Sequence, residues 1–269
     1  AIAVTVTAVN EFAPVFSSAA TASFAENGLG TVLDVNATDA DLPAPTLSYS
    51  ITGGVDAARF AINASTGVVT FVSAPDYENP ADLGADNVYN LQVTASDGAR
   101  STTQSIAVTV TAVNEFAPVF SSAATASFAE NGTGTILTVQ ATDADLPAPA
   151  LSYSISGGVD AAQFAIDAAT GALRFVAPPS FAAPTDSGAN NVYDVQVAAS
   201  DGVRSTSQAL AITVTTANSN APVITSSSTV SFVENGVGPV VDVNATDADL
   251  PAQTLTYSIT GGADAAKFA

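Results

Sequence analysis

The chain repeats itself with a period of 104 residues. The 27 residues from Ile2 to Gly28 return unchanged as Ile106 to Gly132. Ala13-Pro14 recurs as Ala117-Pro118 and Ala221-Pro222, and Glu26-Asn27-Gly28 recurs as Glu130-Asn131-Gly132 and Glu234-Asn235-Gly236. Asp39-Ala40-Asp41-Leu42-Pro43 recurs at 143–147 and 247–251. Solenoid units are roughly 20–50 residues long. This period is instead the size of one small domain with its own core. The chain therefore divides into a terminal strand of an upstream repeat (1–12), two full repeats (13–116 and 117–220) and the N-terminal half of a third (221–269). Residues 1–12 read as a closing strand because the same residues close the first full repeat.

Within each repeat the hydrophobic period is two. Leu33, Val35 and Ala37 alternate with Asp34 and Asn36, and Leu47, Tyr49 and Ile51 with Ser48 and Ser50. Tyr89, Leu91, Val93 and Ala95 alternate with polar residues; Ile106, Val108 and Val110 alternate with Ala107 and Thr109. Such alternation predicts half-buried strands, and the valine and threonine content suits them. Glycines and prolines punctuate the runs. About seven strands in roughly 100 residues predict an all-β fold of tandem immunoglobulin-like sandwiches. A helical turn is expected only at Asp56 to Phe60. Phe24, Tyr49, Phe60, Phe71 and Tyr89 have inward parity and are expected in the core. The linker Ala112 to Pro118 is short and has no Gly/Ser tract, so adjacent sandwiches are expected nearly end to end.

Acidic residues number 25 against 5 basic ones, a net charge of −20. Nucleic acid binding needs basic patches and is excluded, and anionic membrane surfaces repel such a chain. Disorder does not fit 47% hydrophobic and 11% charged residues. Cysteine and histidine are absent, which removes disulfides, thiol chemistry and the usual zinc sites. No apolar run reaches the ~18 residues of a membrane span, so direct membrane insertion is not expected. No basic n-region marks a signal peptide at Ala1.

The acids recur with the repeat instead of scattering as a coat would. They fall at strand ends and in loops: Glu26, Asp76-Tyr77-Glu78, Asn114-Glu115, Asp143-Ala144-Asp145 and Asp201-Gly202. If neighbouring repeats stack, these meet at one junction. Two unit charges ~4 Å apart repel by about 4 kcal/mol at an effective dielectric near 20. A cluster of them must take up protons or cations. Hard divalent ions with 6–8 oxygen ligands fit, and calcium is favoured over magnesium because the ligands are many, mixed and loop-borne. Taken singly, each motif is an ordinary turn or strand end. The Asn-X-Thr/Ser triplets at Asn36, Asn63 and Asn244 read as chance, since Gln140 and Asp167 replace two of them in the second repeat.

Together, Glu-Asn, Asp-X-Asp, Asp-Tyr-Glu, Ala-X-Asp-Gly and an Asn-acid-X-X-Pro linker resemble cadherin repeats. The cysteine-free, Ala/Val-rich style resembles the cadherin-like arrays of large bacterial surface adhesins. The resemblance covers the whole chain. It implies Greek-key sandwiches joined head to tail with Ca2+ at each junction, extracellular or at the cell surface. Carried over by position, the middle junction takes Glu26, Asp76, Glu78, Asn114, Glu115, Asp143, Asp145 and Asp201. The preceding one takes Asn10, Glu11, Asp39, Asp41 and Asp97. The last takes Glu130, Asn218, Asn220, Asp247 and Asp249. The family linker usually reads Asp-X-Asn-Asp-Asn-X-Pro; Ala112, Glu115 and Phe116 depart from it, which implies a lost or rearranged ion. In the second repeat Ser180-Phe181-Ala182 replaces Asp-Tyr-Glu and Ser219 replaces Glu115, so the last junction is expected to bind more weakly.

Three functions fit these readings. The first is a calcium-stiffened adhesion module whose partners are calcium, adjacent repeats and surface proteins or glycans. The second is a passive stalk for an enzyme elsewhere in the polypeptide. The third is a carbohydrate-binding sandwich, which the core parity of the aromatics and the absence of tryptophan disfavour. Catalysis in the chain is not expected: no histidine or cysteine is present, and the lone lysine is Lys267.

Overall fold

A computed structural model describes residues 2–218, 220–249 and 252–269. Linker residue Ser219 and the Leu250-Pro251 end of the third Asp-Ala-Asp-Leu-Pro motif lie outside them. The chain forms two units, Ala1–Phe116 with Asp143–Pro149, and Ala117–Thr142 with Ala150–Ala269.

The first unit holds β1 (Val15–Phe16), β2 (Thr21–Ala25), β3 (Thr31–Asp34), β4 (Ala37–Thr38), β5 (Ser48–Gly53), β6 (Phe60–Ile62), β7 (Val68–Phe71), β8 (Val88–Ser96) and β9 (Ser101–Thr111). One sheet runs β2-β9-β8-β5 and the facing one β3-β7-β6, with β1 paired to β4. Only β2 against β9 is parallel. The nine segments correspond to seven runs, because β1 and β2 break one extended run and β3 and β4 another. Ser17 and Ser18 cause the first break: both N–H groups turn to the Asn36 carbonyl. The helical turn forms at Ala57–Arg59.

Alternation is clearest in β8, where Tyr89, Leu91, Val93 and Ala95 are buried while Asn90 and Gln92 are exposed. Ile106, Val108 and Val110 of β9 close the same core. In β3 the expected alternation slips. A register shift between Thr31 and Leu33 buries Val32 as well as Val35, and Leu33 is only half-buried. The expected aromatics pack: Phe60 lies 4.5 Å from Phe71, and Tyr89 meets Phe71 edge-on at 5.2 Å. Such pairs add about 0.5–1.5 kcal/mol beyond their burial. The Tyr89 hydroxyl accepts the Ala81 N–H (3.0 Å) and that of Tyr49 the Ala37 N–H (3.1 Å), tying loops to the core. After β5, Gly54 (φ +101°) passes so close to β8 that a Cβ there would lie 2.3 Å from Leu91 Cα. Only glycine fits.

The second unit repeats this order, from β10 (Val119–Phe120) and β11 (Thr125–Ala129) to β17 (Val192–Ser200) and β18 (Ser205–Thr215). It has its own core around Tyr193, Leu173, Leu210 and Ile212. In the third repeat the described residues form one short pair, Val223–Ile224 with Ala245–Thr246, and a turn at Ala265–Lys267.

The topology places the acids of the first unit. Because β2 and β9 are parallel with Ala25 opposite Thr111, the residues that follow them, Glu26 and the linker, must lie side by side. At the other end of β9, the β8–β9 turn carries Asp97. Eleven residues at about 3.3 Å each separate the two places.

Candidate metal centre

Glu26 is 3% exposed. Its Oε1 accepts the Val113 N–H (2.7 Å) and its Oε2 the Tyr77 N–H (2.7 Å), so it pins the linker and the β7–β8 loop together. That brings Glu78 and Glu115 to it, and each of the three offers a carboxylate oxygen within 4.8 Å of the others. Asp145 accepts the Glu115 N–H (3.0 Å), and Glu78 Oε1 accepts the Leu146 N–H (2.9 Å). Asn27 Nδ2 donates to Glu115 Oε2. Burial and the charge on Glu26 hold Glu78 above the ordinary glutamate pKa, against the opposing Leu146 N–H bond. Desolvation pushes Glu115 up too, helped by the charges of Glu26, Glu78, Asp145 and Asp76.

The second cluster joins Asp39, Asp41 and Asp97, again with ligand atoms within 4.8 Å of one another. Asp41 accepts the N–H groups of Glu11 and Phe12, both at 3.1 Å, and donates its own N–H to Asp39 Oδ1 (2.9 Å). Asp97 Oδ1 accepts the Arg100 N–H (2.6 Å) and the Ala99 N–H (2.7 Å). These bonds, the Arg100 one foremost, hold its pKa below the ordinary value, and the Asn10 side chain assists.

The donor set fits a hard cation. Glu78 Oε2 in the first cluster, and Asn10 Oδ1, Asp39 Oδ2 and Asp97 Oδ2 in the second, are buried with no hydrogen-bond partner, as is Oδ1 of the linker residue Asn114. All five are acceptors. Buried acceptors normally find a donor, and leaving one bare costs about 1–3 kcal/mol. No basic side chain compensates, since the ion pair among the described residues is Lys267 with Asp264. Oxygen-only, loop-borne ligands of this kind suit calcium.

The remaining expected ligands lie outside these two groups. Asp76 is exposed and caps a turn through the Asn79 N–H (2.9 Å). The Glu11 carboxylate is exposed. Asp143 Oδ1 accepts the Asp145 N–H (3.0 Å), and its Oδ2 is another bare buried acceptor. Asp201 lies in the second unit and accepts the Val203 and Arg204 N–H groups (2.7 and 2.6 Å). Glu130 repeats the role of Glu26, accepting from Phe181 (3.0 Å) and Ala217 (3.2 Å). Asp247 accepts the Asp249 N–H (2.9 Å). Asn220 Nδ2 donates to Asp249 Oδ1 (2.7 Å) and Asn218 Nδ2 to Gln253 (2.9 Å), so both amides present nitrogen to those partners.

Two buried carboxylates escaped the sequence reading. Asp56 accepts from Leu83 (2.7 Å) and Asn90 (2.8 Å), and Asp82 from Asp86 (3.1 Å) and Asn87 (3.2 Å). They anchor the β7–β8 loop. The signal was their recurrence as Asp160 and Asp186, whose carboxylates take the equivalent N–H groups.

Tandem immunoglobulin-like sandwiches with oxygen-ligand clusters at the strand ends and linker define the class. Residues 20–111 match the cadherin domain family. Protocadherin-like wing polarity protein stan of Drosophila melanogaster is 33% identical over 260 residues, which are 89% of this chain and 7% of that protein. Among solved structures, the Protocadherin GammaB4 extracellular domain is 26% identical with a TM-score of 0.59, covering 91% of this chain and 39% of that one. Extracellular cadherin domains 3-6 of Protocadherin Gamma B2 share the fold at 24% identity and a TM-score of 0.62, over 79% of this chain and 55% of that one. The chain spans 5–8% of the length of its cadherin and protocadherin relatives such as stan and Protocadherin Fat 4. Residues 20–111 belong to the cadherin domain family, and the chain is a run of cadherin-like repeats. Cadherin domains are adhesion domains without enzymatic activity, and cadherin ectodomains are extracellular or at the cell surface. No helix among the described residues is long and apolar enough to cross a membrane.

Proposed function

We propose that the chain is a calcium-binding segment of a secreted or cell-surface adhesion protein, and that calcium restrains its linkers. The bare buried oxygens at both ends of β9 carry this reading. Glu26, Glu78 and Glu115 would hold one ion group, and Asn10, Asp39, Asp41 and Asp97 another. Calcium supplies the positive charge that these oxygens lack. Glu115 is a linker residue, whereas Glu26 and Glu78 are anchored to the sandwich. An ion that ligates both sets removes rotational freedom from residues 112–116. Carbohydrate binding gains no support from the aromatics, because Phe60, Phe71 and Tyr89 are core residues.

Extracellular calcium modules bind at about 10⁻⁴–10⁻³ M. Calcium that binds only the folded state raises stability by mass action. Melting the full chain in chelator and in millimolar calcium tests the reading. A clear rise in Tm with calcium is expected, above that of sodium chloride at equal ionic strength. Equal melting in calcium and chelator refutes it.

A further inference from the structure

We propose that Asn27 is a site of spontaneous deamidation, and that its conversion rewrites the hydrogen bonding of the acidic cluster beside it. Three Asn-Gly pairs occupy the same turn of the repeat: Asn27-Gly28, Asn131-Gly132 and Asn235-Gly236. Their asparagines are left-handed, with φ of 59°, 61° and 58°. Packing dictates the glycine. A Cβ at Gly28 would lie 3.0 Å from the Phe24 ring and 3.1 Å from the Ala25 carbonyl, and one at Gly132 would lie 2.7 Å from Phe128. The fold thus places after each asparagine the one residue whose backbone nitrogen carries no flanking side chain to block attack on the amide. Asn27 itself is exposed, so water reaches it.

The chemistry needs only water. The Gly28 backbone nitrogen forms a bond to Asn27 Cγ, and the Cγ–Nδ2 bond breaks. Nδ2 leaves as ammonia, carrying the proton that the Gly28 nitrogen gives up, and a cyclic imide remains. Water then opens the imide at Cγ to give aspartate, or at the main-chain carbonyl to give isoaspartate. The new carboxyl group releases its proton to solvent.

The consequence is local. Asn27 Nδ2 is the donor that meets Glu115 Oε2, while Glu26, Glu78 and Glu115 already crowd their oxygens within 4.8 Å. Conversion deletes that donor and sets a fourth carboxylate against the cluster. The isoaspartate branch also inserts a carbon into a turn that the Asn27 N–H fixes to the Pro75 carbonyl at 2.8 Å. None of this requires a bound metal.

The test ages the full chain in heavy-oxygen water with chelator at mildly alkaline pH, followed by digestion and mass spectrometry. Heavy oxygen should enter at Asn27, in aspartate and isoaspartate forms, faster than at exposed Asn63, which precedes Ala64. An unaged Asn27→Asp variant should melt below the parent in chelator, because it carries the repulsion without the ageing. Labelling of Asn27 no faster than Asn63 overturns the site. Parental melting of Asn27→Asp overturns the effect on the cluster. Chelator is present throughout, so neither result depends on calcium binding.

Discussion

Asp41 shows how one side chain serves both fold and site. Its two oxygens satisfy the N–H groups of Glu11 and Phe12, and it is 7% exposed. Asp41→Ala strands both amides, which at about 1–3 kcal/mol for each unsatisfied group predicts a visible loss of Tm even in chelator. Asp34 is exposed on β3, and Asp34→Ala should change stability by less than about 0.5 kcal/mol. Equal melting of the two variants would remove Asp41 from its anchoring role. Protons probe the same chemistry. Glu78 and Glu115 bind protons more tightly folded than unfolded, so without calcium stability should rise as pH falls from neutral through their raised pKa values. Asp97 and Asp167 are held below their ordinary values, so their contribution is complete above the ordinary aspartate pKa and is lost as pH falls through the depressed values. Metal-free protein should therefore be most stable at mildly acidic pH, measured as Tm against pH in chelator. A flat profile from neutral to mildly acidic pH contradicts the crowding of the glutamates.

At the scale of elements, the strands were legible because burial on one sheet face forces a period of two, and β8 and β9 follow it almost without exception. The register shift in β3 was not legible, since Val32 and Leu33 are both apolar and only pairing decides which is buried. Carboxylates were harder still. Asp56 and Asp82 read in sequence like solvated turn residues, yet they are buried: Asp56 binds the distant Leu83 and Asn90 amides, and Asp82 folds its own loop around the Asp86 and Asn87 amides. Asp76, expected as a ligand, also caps a turn, and that turn role survives in the second repeat without a charge: Ser180 Oγ accepts the Ala183 N–H (3.2 Å). The backbone frame of that loop also survives, through Glu130 and the Phe181 N–H. The loop therefore folds without the Glu78 carboxylate, which Ala182 lacks. Glu78→Ala should not lower Tm in chelator, because the lost Leu146 N–H bond is offset by removing the bare buried Oε2 and its crowding against Glu26. The same variant should reduce the Tm gain from calcium. An undiminished gain would take Glu78 out of the ligand set.

For the whole molecule, a net charge of −20 with five basic residues makes self-repulsion a general cost. Salt relieves it, because the screening length falls from about 30 Å at 0.01 M to about 3 Å at 1 M. In chelator, sodium chloride should raise Tm gradually and by similar amounts in both units, since screening does not choose among carboxylates. Calcium should act differently. Each unit has its own core, so melting in two steps is expected. The first repeat has Asp76, Glu78 and Glu115 where the second has Ser180, Ala182 and Ser219, and fewer anionic ligands mean weaker binding. Calcium should therefore move the step belonging to residues 13–116 further than that of the second repeat, and separate the two. Magnesium keeps its waters and demands a tight octahedron, so it should move the first step less than calcium does. Calorimetry of the full chain, with hydrogen exchange to assign the steps, makes the measurement. If both steps shift equally in calcium, magnesium and sodium at matched ionic strength, the acids act only as a diffuse coat and hold no ion.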